Sequence, residues 1–269
     1  MMETMTWPEV KQAVSEGYVP VWPIGATEQH GPHLPLGTDV ILPLEVARAA
    51  AREIKIVIPP PLKFGFKSKA LSGGGQGFPG TTSLDGETLI GVVRDIVSEL
   101  GRHGFRQLVV LNWHMENRNF VWEGIDQARL RGRLDGVKVM SIDGLTGAFR
   151  QDELAWLFEE GFRGWDIEHA ALVETSLMLA MRPELVRADR IADDASEVHP
   201  WYDLIPEPPS HVPPSGVLSR ASAASREKGE RLRLMMVAKL VDALRTEFNT
   251  PNQTVDPAHD GGRAPLVVD

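Results

Sequence analysis

Apolar residues recur along this chain with two periods. Residues 18–24, YVPVWPI, are a short run of apolar β-formers ending at Gly25, the pattern of a buried strand. Residues 41–54, ILPLEVARAAAREI, have helical spacing, and 55–61, KIVIPPP, read as a strand halted by three prolines. A glycine-rich loop over 71–86 ends in Ser83 and Asp85, either of which can cap a helix. In 86–104, Leu89, Val92, Val93, Ile96 and Leu100 share one face, with Gly101 or Gly104 as the stop. Residues 106–112, RQLVVLN, form an apolar run expected of a strand covered on both faces. A helix follows over 116–134 and a strand over 137–143. The order β-α-β-loop-α-β-α-β predicts an α/β fold with a mainly parallel sheet. Farther on, 150–182 read as helical, 183–217 as proline-rich and irregular, and 218–248 as one long closing helix. No linker divides the chain, so the expectation is one domain over 1–250 and a loosely ordered tail over 251–269.

Composition narrows the partners. The 269 residues are 42% hydrophobic and 24% charged, ordinary for a globular protein. A net charge of −9 argues against nucleic acid, which calls for a basic face. There is no cysteine, so any metal is held by His, Asp and Glu, donors that suit zinc, manganese and similar ions. The opening MMETMTWPEV has no basic segment leading into an apolar run, so no signal peptide is expected. No apolar stretch approaches the ~20 residues that span a bilayer. A cytoplasmic protein without a membrane partner is expected.

The candidate chemistry is concentrated in two segments. IGATEQHGPHLPLGTD, 24–39, holds Glu28, His30, His33 and Asp39 on a turn-rich stretch, and NWHMEN, 112–117, holds His114 and Glu116. Both follow predicted strands, and sites in open α/β sheets lie beyond the carboxyl ends of strands. In an extended segment residues i and i+2 point to one side, so each strand end can present one carboxylate and one imidazole to a common point. Asp39 returns to it after the Gly/Pro turn. Five such ligands exceed what one tetrahedral zinc needs and suit two divalent ions sharing a bridging carboxylate and a water. Three carboxylates and one hydroxide balance the charge of two such ions, which avoids burying net charge. Either pair alone is ordinary surface or capping chemistry; the joint placement carries the expectation. His33 orients a ligand or is a plain loop histidine. A third cluster, Trp165, Asp166, Glu168, His169 and Glu174, reads equally as an acidic helix start or as a His–carboxylate pair beside an aromatic wall.

PIGATEQHGPHLPLGTD, GFPGTTSLDGETL, NWHMEN with VWEGIDQA, and EGFRGWDIEHAALVETSLMLA together resemble the creatininase (creatinine amidohydrolase) family, and the likeness runs through ASREKGE over roughly residues 5–248. The resemblance implies a three-layer α/β/α fold, a homohexamer, and two divalent ions per chain, commonly zinc and manganese. Glu28, Asp39 and His114 match the ligands of one ion, and His30, Asp39 and Glu116 those of the other, with Asp39 bridging. His169 matches the family's proton shuttle, with Glu116 the second catalytic group; Ser72, Trp165 and Asp166 match substrate-holding positions, and Glu174 supports His169. The implied reaction is reversible hydrolysis of a cyclic amide, creatinine to creatine. The alternative is a related hydrolase of another small amide, lactam or formamide, since the superfamily includes deformylase-type and peptide-trimming members. A metal-stabilised scaffold or binder without turnover is the remaining alternative, and such a protein needs no proton shuttle. Three positions depart from the family: Met115 replaces a tyrosine, Leu145 a mobile lid tryptophan, and Ala170 a glycine.

Overall fold

The computed structural model describes residues 1–144, 146–194 and 202–252. Helix α1 (Trp7–Ser15) leads into β1 (Val19–Ile24), followed by α2 (Thr38–Ala50), β2 (Ile56–Val57), α3 (Gly86–Arg102), β3 (Gln107–Asn112), α4 (Arg118–Leu130) and β4 (Lys138–Asp143). Helices α5 (Gln151–Leu157), α6 (Leu172–Met181) and α7 (Arg226–Phe248) complete the chain. The four strands are parallel, in the order β2-β1-β3-β4.

Strand alternation assigns the two faces of the sheet. Val19 and Val21 of β1, with Val109 and Leu111 of β3, face α2, α6 and α7. Trp22 and Ile24, with Leu108 and Val110, face α3 and α4, and α1 adds Val10 and Val14 there. The period of two sends alternate residues to opposite cores, giving the three-layer α/β/α architecture. Register then aligns the strand ends: Ile24 pairs with Asn112, and Asn112 with Asp143. The segments carrying Glu28, His114 and the loop after β4 therefore leave the sheet at one level.

Local boundaries differ from the pattern in four places. Helix α1 had no expected counterpart, although Thr6 and Glu9 form a capping box around it. Helix α2 begins at Thr38, so Asp39 lies in its first turn and not on a returning loop. Gly25 makes this possible, because a Cβ there would sit 2.3 Å from the Asp39 backbone oxygen. The expected helical region 150–182 divides into α5, a single 3-10 turn over Trp165–Ile167, and α6. The closing helix starts at Arg226, where the Ser225 hydroxyl accepts from Lys228 N at 3.1 Å. The expected tail lies outside the described residues from 253 onward; before that, Lys55 N donates to Pro251 O at 3.0 Å.

Candidate metal centre and pocket

The register of β1 and β3 sets the site. Trp113 N donates to Ile24 O at 2.9 Å, so His114 follows one strand end and Glu28 the other, while α2 brings Asp39 between them. Glu28, Asp39 and His114 each place a donor atom within 4.8 Å of the others, and all three are buried. His114 Nδ1 lies 3.1 Å from Glu28 Oε2 and 3.2 Å from Asp39 Oδ2. Those two carboxylate oxygens are buried and accept no hydrogen bond, an expensive state for lone carboxylates. The other Glu28 oxygen accepts from the Ser68 hydroxyl. A cation among these three atoms satisfies all of them at once, so the donor set fits a zinc- or manganese-type ion.

The imidazoles are oriented from behind. His114 Nε2 donates to Phe66 O at 2.8 Å, leaving Nδ1 toward the carboxylates. His30 Nδ1 donates to Glu28 O at 3.0 Å, leaving Nε2 3.1 Å from Asp39 Oδ1. Backbone carbonyls that fix the tautomer in this way are characteristic of metal-ligating histidines. Burial alone would depress both rings, but the Asp39 charge with Glu174 for His30, and the Glu28 and Asp39 charges for His114, hold them well above the ordinary histidine range. Asp39 is itself held below the carboxylate range by the two imidazoles against its burial. The cluster demands positive charge, as protons or as metal.

Around His30 the arrangement differs from the family-derived set. A His169 ring nitrogen and a Glu174 carboxylate oxygen lie within 4.8 Å of a His30 nitrogen and of each other. Glu174 Oε2 is 3.6 Å from His30 Nε2. Glu116 sits at the wall of the pocket, where its Oε1 accepts from the Ser72 hydroxyl at 2.5 Å and its Oε2 lies 3.5 Å from His114 Nε2. His33 is fully buried, its Nε2 2.8 Å from Thr175 Oγ1, and its Nδ1 has no hydrogen-bond partner among the described residues.

A pocket of about 600 Å³ opens onto this cluster and is lined by Asp39, Ser72, Glu116, Trp165, Asp166 and His169, among others. Trp165 packs against Phe149, Phe158 and Phe162 at centroid distances of 5.7, 6.0 and 4.9 Å. Met115 also lines the pocket and is 48% exposed. Leu145 lies outside the described residues. Burial pushes the Glu168 carboxyl up to about 8, the Glu174 charge adding to it while the Val173 N–H, donating at 3.1 Å, opposes it.

Three residues that the sequence reading passed over hold the site together. Ser68 secures Glu28. Asn117 accepts from Phe66 N at 2.7 Å and donates to Gly25 O and Asn112 Oδ1, each at 3.1 Å, joining both strand ends to the loop behind His114. Gln29 reaches Gly73 O, Gly216 O and His169. The available signals were the asparagines flanking the His-x-Glu pair and an amide side chain between two ligand-type residues.

A family model for creatininase, described as creatinine amidohydrolase, matches residues 3–244. The chain belongs to the creatininase family. It is 46% identical to a creatinine amidohydrolase of Pseudomonas putida over 248 residues, covering 91% of this chain and 95% of that relative. A mycofactocin precursor peptide peptidase of Mycobacterium ulcerans is 30% identical, over 89% of this chain and 85% of its own length. Among solved structures, a manganese form of creatininase superposes with a TM-score of 0.87 at 45% identity, covering 91% of this chain and 97% of that one. A mutant creatininase of Zn-Zn type matches with the same TM-score at 44% identity and the same coverage.

Proposed function

We propose that this creatininase-family chain is a two-metal amidohydrolase that converts creatinine to creatine, reversibly. The observation that carries the reading is the buried Glu28–Asp39–His114 donor set, with two carboxylate oxygens lacking hydrogen-bond partners, at the floor of a pocket that also holds His169. The 46% identity to a creatinine amidohydrolase supports the substrate.

In this reading Glu28, Asp39 and His114 hold one ion, and His30 and Asp39 hold the second together with Glu116. Divalent ions there would acidify water and polarise the amide carbonyl. The chain's own residues do the rest. Ser72 and Asp166 present hydrogen-bonding groups to a polar substrate, and Trp165, braced by three phenylalanines, offers a flat apolar wall. His169 takes a proton from the attacking water as the carbonyl carbon gains the water oxygen. It returns that proton to the departing ring nitrogen as the C–N bond breaks, so the imidazole ends as it began. The new carboxylic acid then ionises.

The test is hydrolysis of creatinine and a panel of cyclic amides, lactams and formamides by protein reconstituted with zinc or manganese. Turnover of creatinine above the rest of the panel supports the reading. Turnover confined to another amide supports the second reading, which is favoured by Met115 at a position where the family carries a tyrosine. No turnover with any of them sinks both.

We also read the chain as a cytoplasmic homohexamer. Exposed apolar side chains such as Trp122 and Leu130 on α4, 62% and 68% accessible, suit burial between copies, and no described helix is long and apolar enough to cross a membrane. Light scattering on the eluting protein measures the copy number.

A further inference from the structure

The Gln29 side chain is an interior fork. Its Nε2 donates to Gly73 O at 2.6 Å and to Gly216 O at 2.8 Å, and its Oε1 accepts from Gly31 N at 2.8 Å. Two carbonyls on one side and an N–H on the other settle which end of the amide is nitrogen. Both amide hydrogens are then committed.

His169 Nε2 lies 2.9 Å from Gln29 Nε2 and 2.9 Å from the Gln29 backbone oxygen. The amide nitrogen has no free hydrogen and no available lone pair. The carbonyl can only accept, so the ring must donate through Nε2–H. That leaves Nδ1, which has no hydrogen bond among the described residues, as the ring's basic nitrogen. The two loops held by the fork also hold the ring. A Cβ on Gly73 would stand 2.9 Å from His169 Cδ2 and 3.0 Å from Nε2, so the Gly73 loop is in contact with the imidazole. Leu218 N donates to His169 O at 3.1 Å, so the Gly216 loop holds the same residue by its backbone.

We infer that Gln29 is a positioning residue for proton transfer: its backbone carbonyl fixes His169 as the Nε2–H tautomer, its side-chain amide clamps the two loops that seat the ring, and His169 exchanges its proton through Nδ1. This rests on the proposed role of His169 in amide hydrolysis. Gln29 contacts neither substrate nor ion in this scheme. Its loss therefore slows the proton step without weakening substrate binding, and does nothing further once His169 is gone.

The test uses the full-length zinc-loaded protein as wild type, Gln29→Met, His169→Ala and the double variant. Gln29→Met is close in size and donates nothing. The expected result is unchanged zinc content, KM for creatinine within about twofold, kcat reduced tenfold or more, and a double variant no slower than His169→Ala, as holds for residues acting as one unit. An unchanged kcat, or losses that multiply in the double variant, overturns the inference. If Gln29→Met fails to fold or loses its zinc, Gln29→Glu, which keeps the shape and the acceptor to Gly31, is judged by the same criteria. Long-range proton–nitrogen NMR on histidine-labelled protein, with His169→Ala identifying the ring, reads the tautomer without turnover. Nε2-protonation in the wild type and a second ring state in the Gln29 variant are expected; Nδ1-protonation in the wild type, or an identical ring in both, overturns the inference. Wild-type protein that leaves creatinine intact counts against the functional reading alone, because the ring spectra still decide the Gln29 assignment.

Discussion

Asp39 Oδ2 lies 3.2 Å from His114 Nδ1, the same nitrogen that lies 3.1 Å from Glu28 Oε2. Asp39 also meets His30 through its other oxygen at 3.1 Å, so one carboxylate joins the two imidazole positions. Asp39→Ala is expected to lose both ions, and Glu28→Ala mainly one. Elemental analysis of protein saturated with zinc or manganese checks this, and a wild-type content near one ion per chain would count against the two-metal reading.

Glu116 and Glu174 compete for the place beside His30. The motif resemblance implies Glu116, yet Glu174 is the carboxylate 3.6 Å from His30 Nε2. Glu116→Gln is expected to lower the content of the second ion, and Glu174→Gln to leave it unchanged. The reverse pattern in metal content would reassign the ligand.

His169→Ala is expected to keep its metals and lose about 10²–10⁴-fold in kcat, the usual span for general acid–base groups. Paired metal and rate measurements decide between this role and ligation, since a metal-free variant would make His169 a ligand.

Met115 lines the pocket with nearly half its surface exposed, and a methionine cannot hydrogen-bond a small polar substrate as a phenol does. Met115→Tyr is expected to raise kcat/KM for creatinine by roughly 2- to 10-fold, the worth of one hydrogen bond of ~0.5–1.5 kcal/mol. A decrease, with a gain for no other amide in the panel, would show that methionine suits the native substrate better.

Glu168 has its pKa raised by burial from 4.5 to about 8. Between these values the folded chain keeps a proton that the unfolded chain releases. The stability present below 4.5 is therefore lost as pH climbs toward about 8. Glu168→Gln removes this dependence, so the variant should gain on wild type as pH rises from 4.5 to about 8 and gain no more above it. Urea midpoints of chelator-treated protein across that range test it; parallel curves for the two proteins would contradict it.

Much of this site was legible along the chain. The apolar runs YVPVWPI and RQLVVL mark two buried strands, and Glu28–His30 and His114–Glu116 follow them at a spacing of two. These signals are local: a periodic pattern reports the faces of an element, and donor residues at its end report what it can present. Helix α1 was equally local, written in Thr6, Pro8 and Glu9, and was passed over because its apolar stripe is thin. Tertiary structure decided the rest. Packing of α2 against Gly25 placed Asp39 between the strand ends, and α6 brought Glu174 to His30 from about 140 residues away. The Gln29 fork joins loops at 73 and 216 that no period relates. A buried amide must satisfy each of its polar atoms, but which carbonyls satisfy it depends on which segments the closed chain places within about 3 Å, and spacing along the chain carries no record of that distance.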